Sequence, residues 1–142
     1  MKTKKNALLV LFALILTGLI SCNHGFDDCT NTIYIKNNSA KSIYAVSTLK
    51  KDFFNFNPTN ENYKDDFMIE PGETIKVKIG IKLQCWEQTL EQTGGYVYIY
   101  VYDAEYLENP DVRWEDAQKN HIKLYTLNVN DLRDMNWEVK YP

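Results

Sequence analysis

Alternation of residue character with a period of two recurs along the chain, and it is strongest over Tyr96–Tyr102. One face of this segment carries three aliphatic residues, Val97, Ile99 and Val101. The opposite face carries four tyrosines, here named the tyrosine row: Tyr96, Tyr98, Tyr100 and Tyr102. A period of two is typical of β-strands, and bulk on both faces is typical of an inner strand. The segment is therefore predicted to lie inside a sheet.

Six further segments have a β-rich or alternating composition: Thr32–Lys36, Ser42–Leu49, Phe67–Ile69, Thr74–Ile81, His121–Leu127 and Trp137–Tyr141. The polar residues 37–41 favour a turn, so the first two strands are predicted to form a hairpin. Short helices are predicted in three connections: Trp86–Gln92, Asp111–Asn120 with Asp111 as its cap, and Asp131–Met135 with Asn130 as its cap. In the long irregular loop 50–66, the side chains of Phe53, Phe54 and Phe56 are expected to form a small core of the loop's own.

About seven strands without the βα alternation of a parallel sheet predict an all-β fold. We expect an antiparallel β-sandwich, immunoglobulin-like, with short helices in the connections. A partly open barrel is the alternative. The length of 142 residues suits a single domain of this kind.

The first 21 residues differ in composition from the rest of the chain. They hold three lysines, no acidic residue and the apolar run Ala7–Ile20. A basic start followed by about 14 mostly apolar residues is typical of a secretory signal, since a membrane-spanning helix needs roughly 20. This segment is therefore excluded from the predicted domain.

The apolar run ends in Leu19-Ile20-Ser21-Cys22, which resembles the lipobox of bacterial lipoproteins. The resemblance implies that the Cys22 thiol carries a diacylglycerol, that the signal is cut before it, and that the new amino group takes an acyl chain such as palmitate. Two or three acyl chains hold a protein firmly on a membrane without a spanning segment. The expected organisation is a signal peptide over residues 1–21, a tether over 22–30 and the β-sandwich domain over 31–142.

The residues that follow the lipobox bear on which membrane the lipoprotein reaches. Asn23 stands where an aspartate would favour retention in the inner membrane, so the resemblance implies the outer membrane of the cell envelope. Asp27 and Asp28 resemble the short acidic cluster that sends some lipoproteins to the cell surface. The expected location is a lipid-anchored position on the outer membrane. The acidic pair favours exposure on the cell surface, and the alternative is that the two acids only solvate the tether.

The C-terminal part of the chain resembles the end of a group of small uncharacterised envelope lipoproteins. The matching residues are Tyr125-Thr126-Leu127, Asp131-Leu132 and Met135–Pro142. Tyr102–Ala104 fits a second, looser motif of that group. This resemblance implies a fold and a compartment and brings no known activity.

With Cys22 lipidated, two cysteines remain, Cys29 and Cys85. An even pair in an oxidising compartment predicts a disulfide, with two free thiols as the alternative. A metal site is disfavoured because the chain has two histidines and no Cys-x-x-Cys spacing. No cofactor is expected.

The charge of the chain argues against nucleic acid as a partner. The full chain has 16 basic and 19 acidic residues. Cleavage before Cys22 would remove three lysines and no acid, which leaves a net charge of −6. Such a chain lacks the basic footprint of nucleic-acid binders, and acyl chains rather than electrostatics should hold it on a membrane.

The chain shows no nucleophile elbow, zinc-protease motif or phosphate loop, so it is predicted not to be an enzyme. Its two histidines are His24, in the expected tether, and His121, at a strand start. A small carboxylate-dependent hydrolase is the catalytic alternative. The acidic cluster Asp103, Glu105, Glu108 and Asp111 could hold Ca²⁺, but its spacing is not that of an EF-hand, and a solvated acidic loop is the preferred interpretation.

The tyrosine row is the main candidate for ligand binding. Tyrosines on a sheet face can stack on sugar rings and hydrogen-bond to sugar oxygens; the alternative is that other segments cover them. We therefore expect a lipid-anchored envelope protein that acts as a non-catalytic binding or structural module, with a glycan or an envelope protein as partner. A glycan-binding accessory of an uptake system is the second interpretation.

Overall fold

A computed structural model describes residues 29–51, 57–78 and 85–142 of the chain. Seven strands lie within these ranges: β1 Thr32–Asn37, β2 Ile43–Thr48, β3 Met68–Ile69, β4 Thr74–Lys78, β5 Val97–Asp103, β6 Lys123–Leu127 and β7 Glu138–Tyr141. The signal segment, Cys22 and the phenylalanines at positions 53, 54 and 56 lie outside the described residues, as do positions 79–81 of the predicted fourth strand.

The strands form two sheets. The three-stranded sheet has the order β4-β1-β7, and the four-stranded sheet has the order β3-β2-β5-β6. All neighbours are antiparallel except β1 and β7, which run parallel. The predicted all-β sandwich is confirmed, and β5 is an inner strand as expected. The immunoglobulin-like subclass stays a prediction.

The predicted hairpin between the first two strands is wrong. β1 pairs with β4 and β7, whereas β2 pairs with β3 and β5 in the other sheet. Ile33 and Ile35 of β1 pack in the same buried cluster as Ile43 of β2, so the two strands contribute to the core from different sheets. A polar connection marks the end of a strand but does not show whether the chain turns back or crosses to a second sheet.

Five short helices lie in the described parts of the connections: α1 Lys64–Phe67, α2 Trp86–Gln92, α3 Ala104–Leu107, α4 Trp114–Ala117 and α5 Val129–Asp134. α2 has the predicted bounds, and the chain leaves it through Gly94, whose φ of 100° suits glycine. No helix within the described ranges has the length and apolar character needed to cross a bilayer.

Two helices differ from the prediction at their N-terminal caps. α4 follows Arg113 rather than Asp111. α5 begins earlier than predicted because Asn128, not Asn130, accepts the cap bonds, while the Asp131 carboxylate accepts from the Asn128 N–H at 2.9 Å. This reciprocal arrangement is a capping box, which satisfies two backbone donors that a helix start leaves open.

The end of α5 sets the course of β7. The Trp137 N–H donates to the Leu132 carbonyl at 2.7 Å and the Asn136 N–H to the Arg133 carbonyl at 2.9 Å, which is the Schellman pattern. Asn136 and Trp137 take positive φ values of 51° and 60°. Leu132 is fully buried as predicted, whereas Met135, predicted to point inward, is exposed. After this turn the chain lies beside β1, where the Tyr34 N–H donates to the Trp137 carbonyl.

The main core lies between the two sheets. It combines aliphatic residues of the three-stranded sheet, such as Ile33, Ile35 and Val139, with those of the inner face of the four-stranded sheet, such as Ile99 and Val101. These residues occupy every second position of their strands, as the alternation predicted. Trp86 and Leu90 of α2 pack against the same core.

A second core covers the outer face of the four-stranded sheet. The residues that belong to the sheet are Tyr44, Val46, Tyr100 and Tyr102. The residues that cover them come from the segment 104–117 and include Ala104, Leu107 and Ala117. The molecule therefore has three layers, with the four-stranded sheet in the middle and short helices on its outer side.

Candidate functional site

The tyrosine row lies on the outer face of β5, and most of it is covered. Tyr100 and Tyr102 are almost completely buried, with exposed fractions of 1% and 0%. Tyr98 is half-buried against the second core, and Tyr96 precedes the strand and is exposed. Because the inner pair presents no open ring face, the four residues do not form a continuous stacking surface in this structure.

The buried tyrosines instead attach the helical layer to the sheet. The Tyr102 hydroxyl donates to the Gln118 carbonyl at 3.0 Å, and its ring packs edge-on against Trp114 at 5.6 Å between centroids. Tyr44, directly opposite Tyr102 on β2, donates its hydroxyl to Glu108 at 2.8 Å. Burial raises the pKa of both phenols, so both stay protonated donors at neutral pH.

His121 takes part in the same packing. Its ring lies edge-on to Tyr100 at 5.2 Å and to Tyr102 at 6.5 Å between centroids. Its Nδ1 atom is buried and has no hydrogen-bond partner among the residues that the structure describes. This environment is that of a packing residue, and His24 lies outside the described residues.

A charged cleft of about 560 Å³ opens at one end of the four-stranded sheet. Its walls are the β1–β2 connection, the segment from α1 to the turn after β3, and the start of α3. The charged or hydroxyl-bearing lining residues are Lys41, Ser42, Lys64, Glu70, Asp103, Glu105 and Glu108, and the apolar ones are Ala40, Met68, Pro71 and Ala104. Four carboxylates and two lysines make this cleft, here named the acidic cleft, net negative.

Lys41 joins two walls of the acidic cleft. Its Nζ lies 3.7 Å from Asp103 and 3.4 Å from Glu105. The hydrogen bond to Glu105 and the charge of Asp103 raise the pKa of Lys41. Asp103 also caps α3, because its side chain accepts from the Tyr106 N–H at 3.1 Å. The N-cap thus holds the acidic side of the cleft in place.

Glu108 joins the cleft to the tyrosine layer. It accepts a hydrogen bond from Lys64 Nζ at 2.5 Å and one from Tyr44. These bonds lower its pKa, in the order Lys64 and then Tyr44. Since the pKa is lower in the folded than in the unfolded chain, the stabilisation is present at neutral pH and is lost as the pH falls through the folded pKa. A carboxylate held ionised in this way is poorly suited to act as a general acid.

Asn37 at the end of β1 positions the remaining wall. Its amide nitrogen donates to the Lys41 carbonyl at 2.7 Å and to the Ile69 carbonyl at 2.9 Å. Its side-chain oxygen accepts from the N–H and the hydroxyl of Ser39. All hydrogen-bonding positions of this buried side chain are therefore occupied, and they connect β1, the β1–β2 connection and β3. Sequence reasoning missed Asn37, because an asparagine before a turn is ordinary.

The acidic cluster predicted from the sequence is only partly brought together. Asp103, Glu105 and Glu108 line the cleft, and each contacts a lysine, while Asp111 is not among the lining residues. The Ser42 hydroxyl hydrogen-bonds to Glu70 in the same cleft. No group of three or more acidic, histidine or cysteine side chains suited to a metal ion occurs among the described residues. The arrangement suits a cationic or hydroxyl-rich ligand.

The predicted disulfide between Cys29 and Cys85 is wrong for this structure, and the alternative of two free thiols holds. The two sulfurs are not at bonding distance, with Cys29 exposed and Cys85 buried. The neighbouring backbone is fixed because the Trp86 N–H donates to the Thr30 carbonyl at 2.8 Å. This contact brings the two segments together without joining the thiols by a covalent bond. Hydrogen bonding with Cys85 is the main cause that raises the pKa of the Cys29 thiol to about 11, followed by desolvation.

Substitution of Cys85 with alanine should therefore accelerate alkylation of Cys29 at pH 8 by about tenfold or more, because the thiolate is the reactive form. The rate is measured with iodoacetamide and peptide mass spectrometry. In the unsubstituted chain the same rate should rise steeply between pH 8 and 11. Equal rates of Cys29 alkylation in the two proteins at pH 8 would contradict the assigned effect of Cys85 on the pKa of Cys29.

The comparisons with known proteins add no family. No protein-family model, no curated protein and no solved structure matches the chain.

Proposed function

We propose that this protein is a lipid-anchored component of the bacterial cell envelope whose domain is a non-catalytic binding module. The anchor is Cys22, the binding site is the acidic cleft, and the outer membrane is the location. The observation that carries the proposal is that the chain enters the domain at one end of the sandwich and the cleft opens at the other.

The positions of the two ends follow from β1. At its start, the Thr30 N–H donates to Glu87 of α2 at 3.0 Å, and the Thr30 carbonyl accepts from Trp86. At its end, Asn37 binds the Lys41 carbonyl beside the cleft. β1 has six residues, so the two ends are separated by about 17 Å. A domain held at Cys22 would therefore present the cleft away from the membrane.

The chemistry of the cleft supports binding rather than catalysis. Lys41 is held by Asp103 and Glu105, and Glu108 is held by Lys64 and Tyr44. These contacts raise the pKa values of the two lysines and lower that of Glu108, in each case away from neutral pH. Proton transfer near pH 7 needs a group whose pKa lies near that pH. Fixed charges together with apolar lining residues such as Met68 and Ala104 are typical of a recognition site.

The anchor is tested by replacing Cys22 with alanine. We expect the unsubstituted protein to remain in the membrane fraction and the variant to lose its attached acyl chains, because no other cysteine stands in the lipobox. Measurements are membrane fractionation, detergent phase partitioning and intact mass.

The matched control is Cys29→Ser, which removes a neighbouring thiol and should leave membrane attachment unchanged. If the Cys22→Ala protein carried the same lipid mass and fractionated with membranes as before, the proposed anchoring would be rejected. That the protein binds a glycan beside an uptake system stays a prediction.

A further inference from the structure

No layer formed by the described residues covers the outer face of the three-stranded sheet, and the charge of this face is opposite to that of the whole chain. Three lysines point outward from three different strands: Lys36 from β1, Lys76 from β4 and Lys140 from β7. Tyr34 lies among them and is exposed by 37%. These four residues are here named the lysine face.

The strand register brings these residues together. Lys36 pairs with Lys140 across the parallel β1–β7 ladder, and Tyr34 pairs with Lys76 across β1–β4. The Lys76 ammonium lies 6.0 Å from the centroid of the Tyr34 ring. Like charges directly opposite each other destabilise a sheet. The Lys36–Lys140 pair therefore opposes folding, and an anion bound between the two ammonium groups would relieve the repulsion.

Very little on the described part of this face neutralises its charge. Among the outward-facing side chains described on β1, β4 and β7, the one carboxylate is Glu138, which contacts Lys140 at 3.1 Å. Lys36 takes part in no ion pair with the described residues. By contrast, Lys41 and Lys64 of the acidic cleft are both held by carboxylates.

We propose that the lysine face binds an acidic polysaccharide, with sugar carboxylates on the Lys36 and Lys76 ammonium groups and beside the Lys140–Glu138 pair, and with a sugar ring against Tyr34. Adjacent strands are about 4.8 Å apart, and alternate residues of one strand about 7 Å, so the charges lie in a flat array that a chain of rings can follow. The exposed tyrosine supplies ring contact and a hydroxyl at low cost in side-chain entropy.

An anionic membrane surface is the less suitable partner for this face. The lysine face contains no exposed aliphatic side chain that could enter the lipid, since the inward positions of β1 and β4 carry its isoleucines and valine. The strands of this sheet run from the end where the chain enters to the end with the cleft. Under the proposed anchoring, the face would therefore lie along the side of the domain rather than against the membrane.

Binding is tested with the full chain in a neutral detergent, with polygalacturonate as the acidic polymer and dextran as the uncharged one. The test variant carries Lys36→Gln, Lys76→Gln and Lys140→Gln. The matched control carries Lys51→Gln, Lys119→Gln and Lys123→Gln, three exposed lysines elsewhere, so that the net charge changes equally. Affinity is measured by titration at two salt concentrations, and folding by thermal unfolding.

We expect the test variant to bind polygalacturonate at least about tenfold more weakly, since each lysine near an anionic surface contributes roughly a fivefold factor. The control variant should keep most of its affinity, dextran should not bind, and added salt should weaken the binding. Tyr34→Thr alone should lower affinity roughly threefold or more. The test variant should unfold at the same or a higher temperature, because the Lys36–Lys140 repulsion is gone.

Three results would overturn the proposal. Equal losses in the two triple variants would show an effect of net charge alone. Full competition by mixed micelles that contain phosphatidylglycerol would assign the face to lipid headgroups. Unchanged binding of the Tyr34→Thr variant would remove the sugar-ring contact. None of these outcomes depends on whether Cys22 is lipidated, so a failure here is distinct from a failure of the proposed anchoring.

Discussion

Replacement of Asn37 with aspartate is expected to lower the free energy of unfolding by about 3–5 kcal/mol. The substitution keeps the shape of the side chain but turns its donor nitrogen into an acceptor oxygen. The Lys41 and Ile69 carbonyls would then lose their donor and face a buried carboxylate. Urea unfolding followed by tryptophan fluorescence measures the change.

The neighbouring Asn38 provides the control, because its side chain is exposed and makes no hydrogen bond with the described residues. Asn38→Asp should change the free energy of unfolding by less than about 0.5 kcal/mol. A similar small effect for Asn37→Asp would mean that the wall of the acidic cleft is not held by this side chain. Other contacts would then have to hold the β1–β2 connection beside the acidic cleft.

Replacement of Tyr102 with alanine is expected to cost about 3–5 kcal/mol, because it empties the centre of the second core. Tyr102→Phe should cost only about 1–2 kcal/mol, since it keeps the ring against Trp114 and removes the hydroxyl that donates to the Gln118 carbonyl. Urea unfolding measures both values, and hydrogen exchange should show the loss of protection concentrated in residues 104–120.

Tyr96→Ala is the matched control for this pair, since Tyr96 belongs to the same row and is exposed by 43%. It should have a small effect on stability. If Tyr96→Ala and Tyr102→Ala destabilised the protein equally, the assignment of Tyr102 to a buried layer would be refuted. If Tyr102→Ala left hydrogen exchange in residues 104–120 unchanged, neither the ring nor the hydroxyl of Tyr102 would be what attaches this segment to the sheet.

Much of the strand content could be predicted because it depends on local alternation. Ile33 and Ile35, or Val97 and Ile99, face the core at the positions that a period of two assigns to them. The bounds of α2 were predictable for a similar reason, since glycines follow its last residues. The N-terminal cap of α5 was harder to predict, because asparagine is a good cap at both position 128 and position 130. What distinguishes Asn128 is the second bond of the capping box, in which its N–H donates to the Asp131 carboxylate.

The candidate site could not be predicted to the same extent. Asp103, Glu105 and Glu108 are recognisable as an acidic group, but the lysines that hold them come from positions 41 and 64. The lysine face likewise depends on the register of three strands that are distant in the chain. Such sites arise from pairings that residue type alone does not specify.

The amino-acid sequence alone was enough to predict an all-β sandwich and the aliphatic faces of strands such as β1, β4 and β5, because strand geometry alternates side chains whatever the partner strand is. Only the tertiary structure decided that β1 and β2 belong to different sheets, that the inner tyrosines lie under the segment 104–120, and that Cys29 and Cys85 remain separate thiols. The physical reason is the same in each case. These outcomes depend on which distant segments share a surface, and that is decided by the packing of the whole domain.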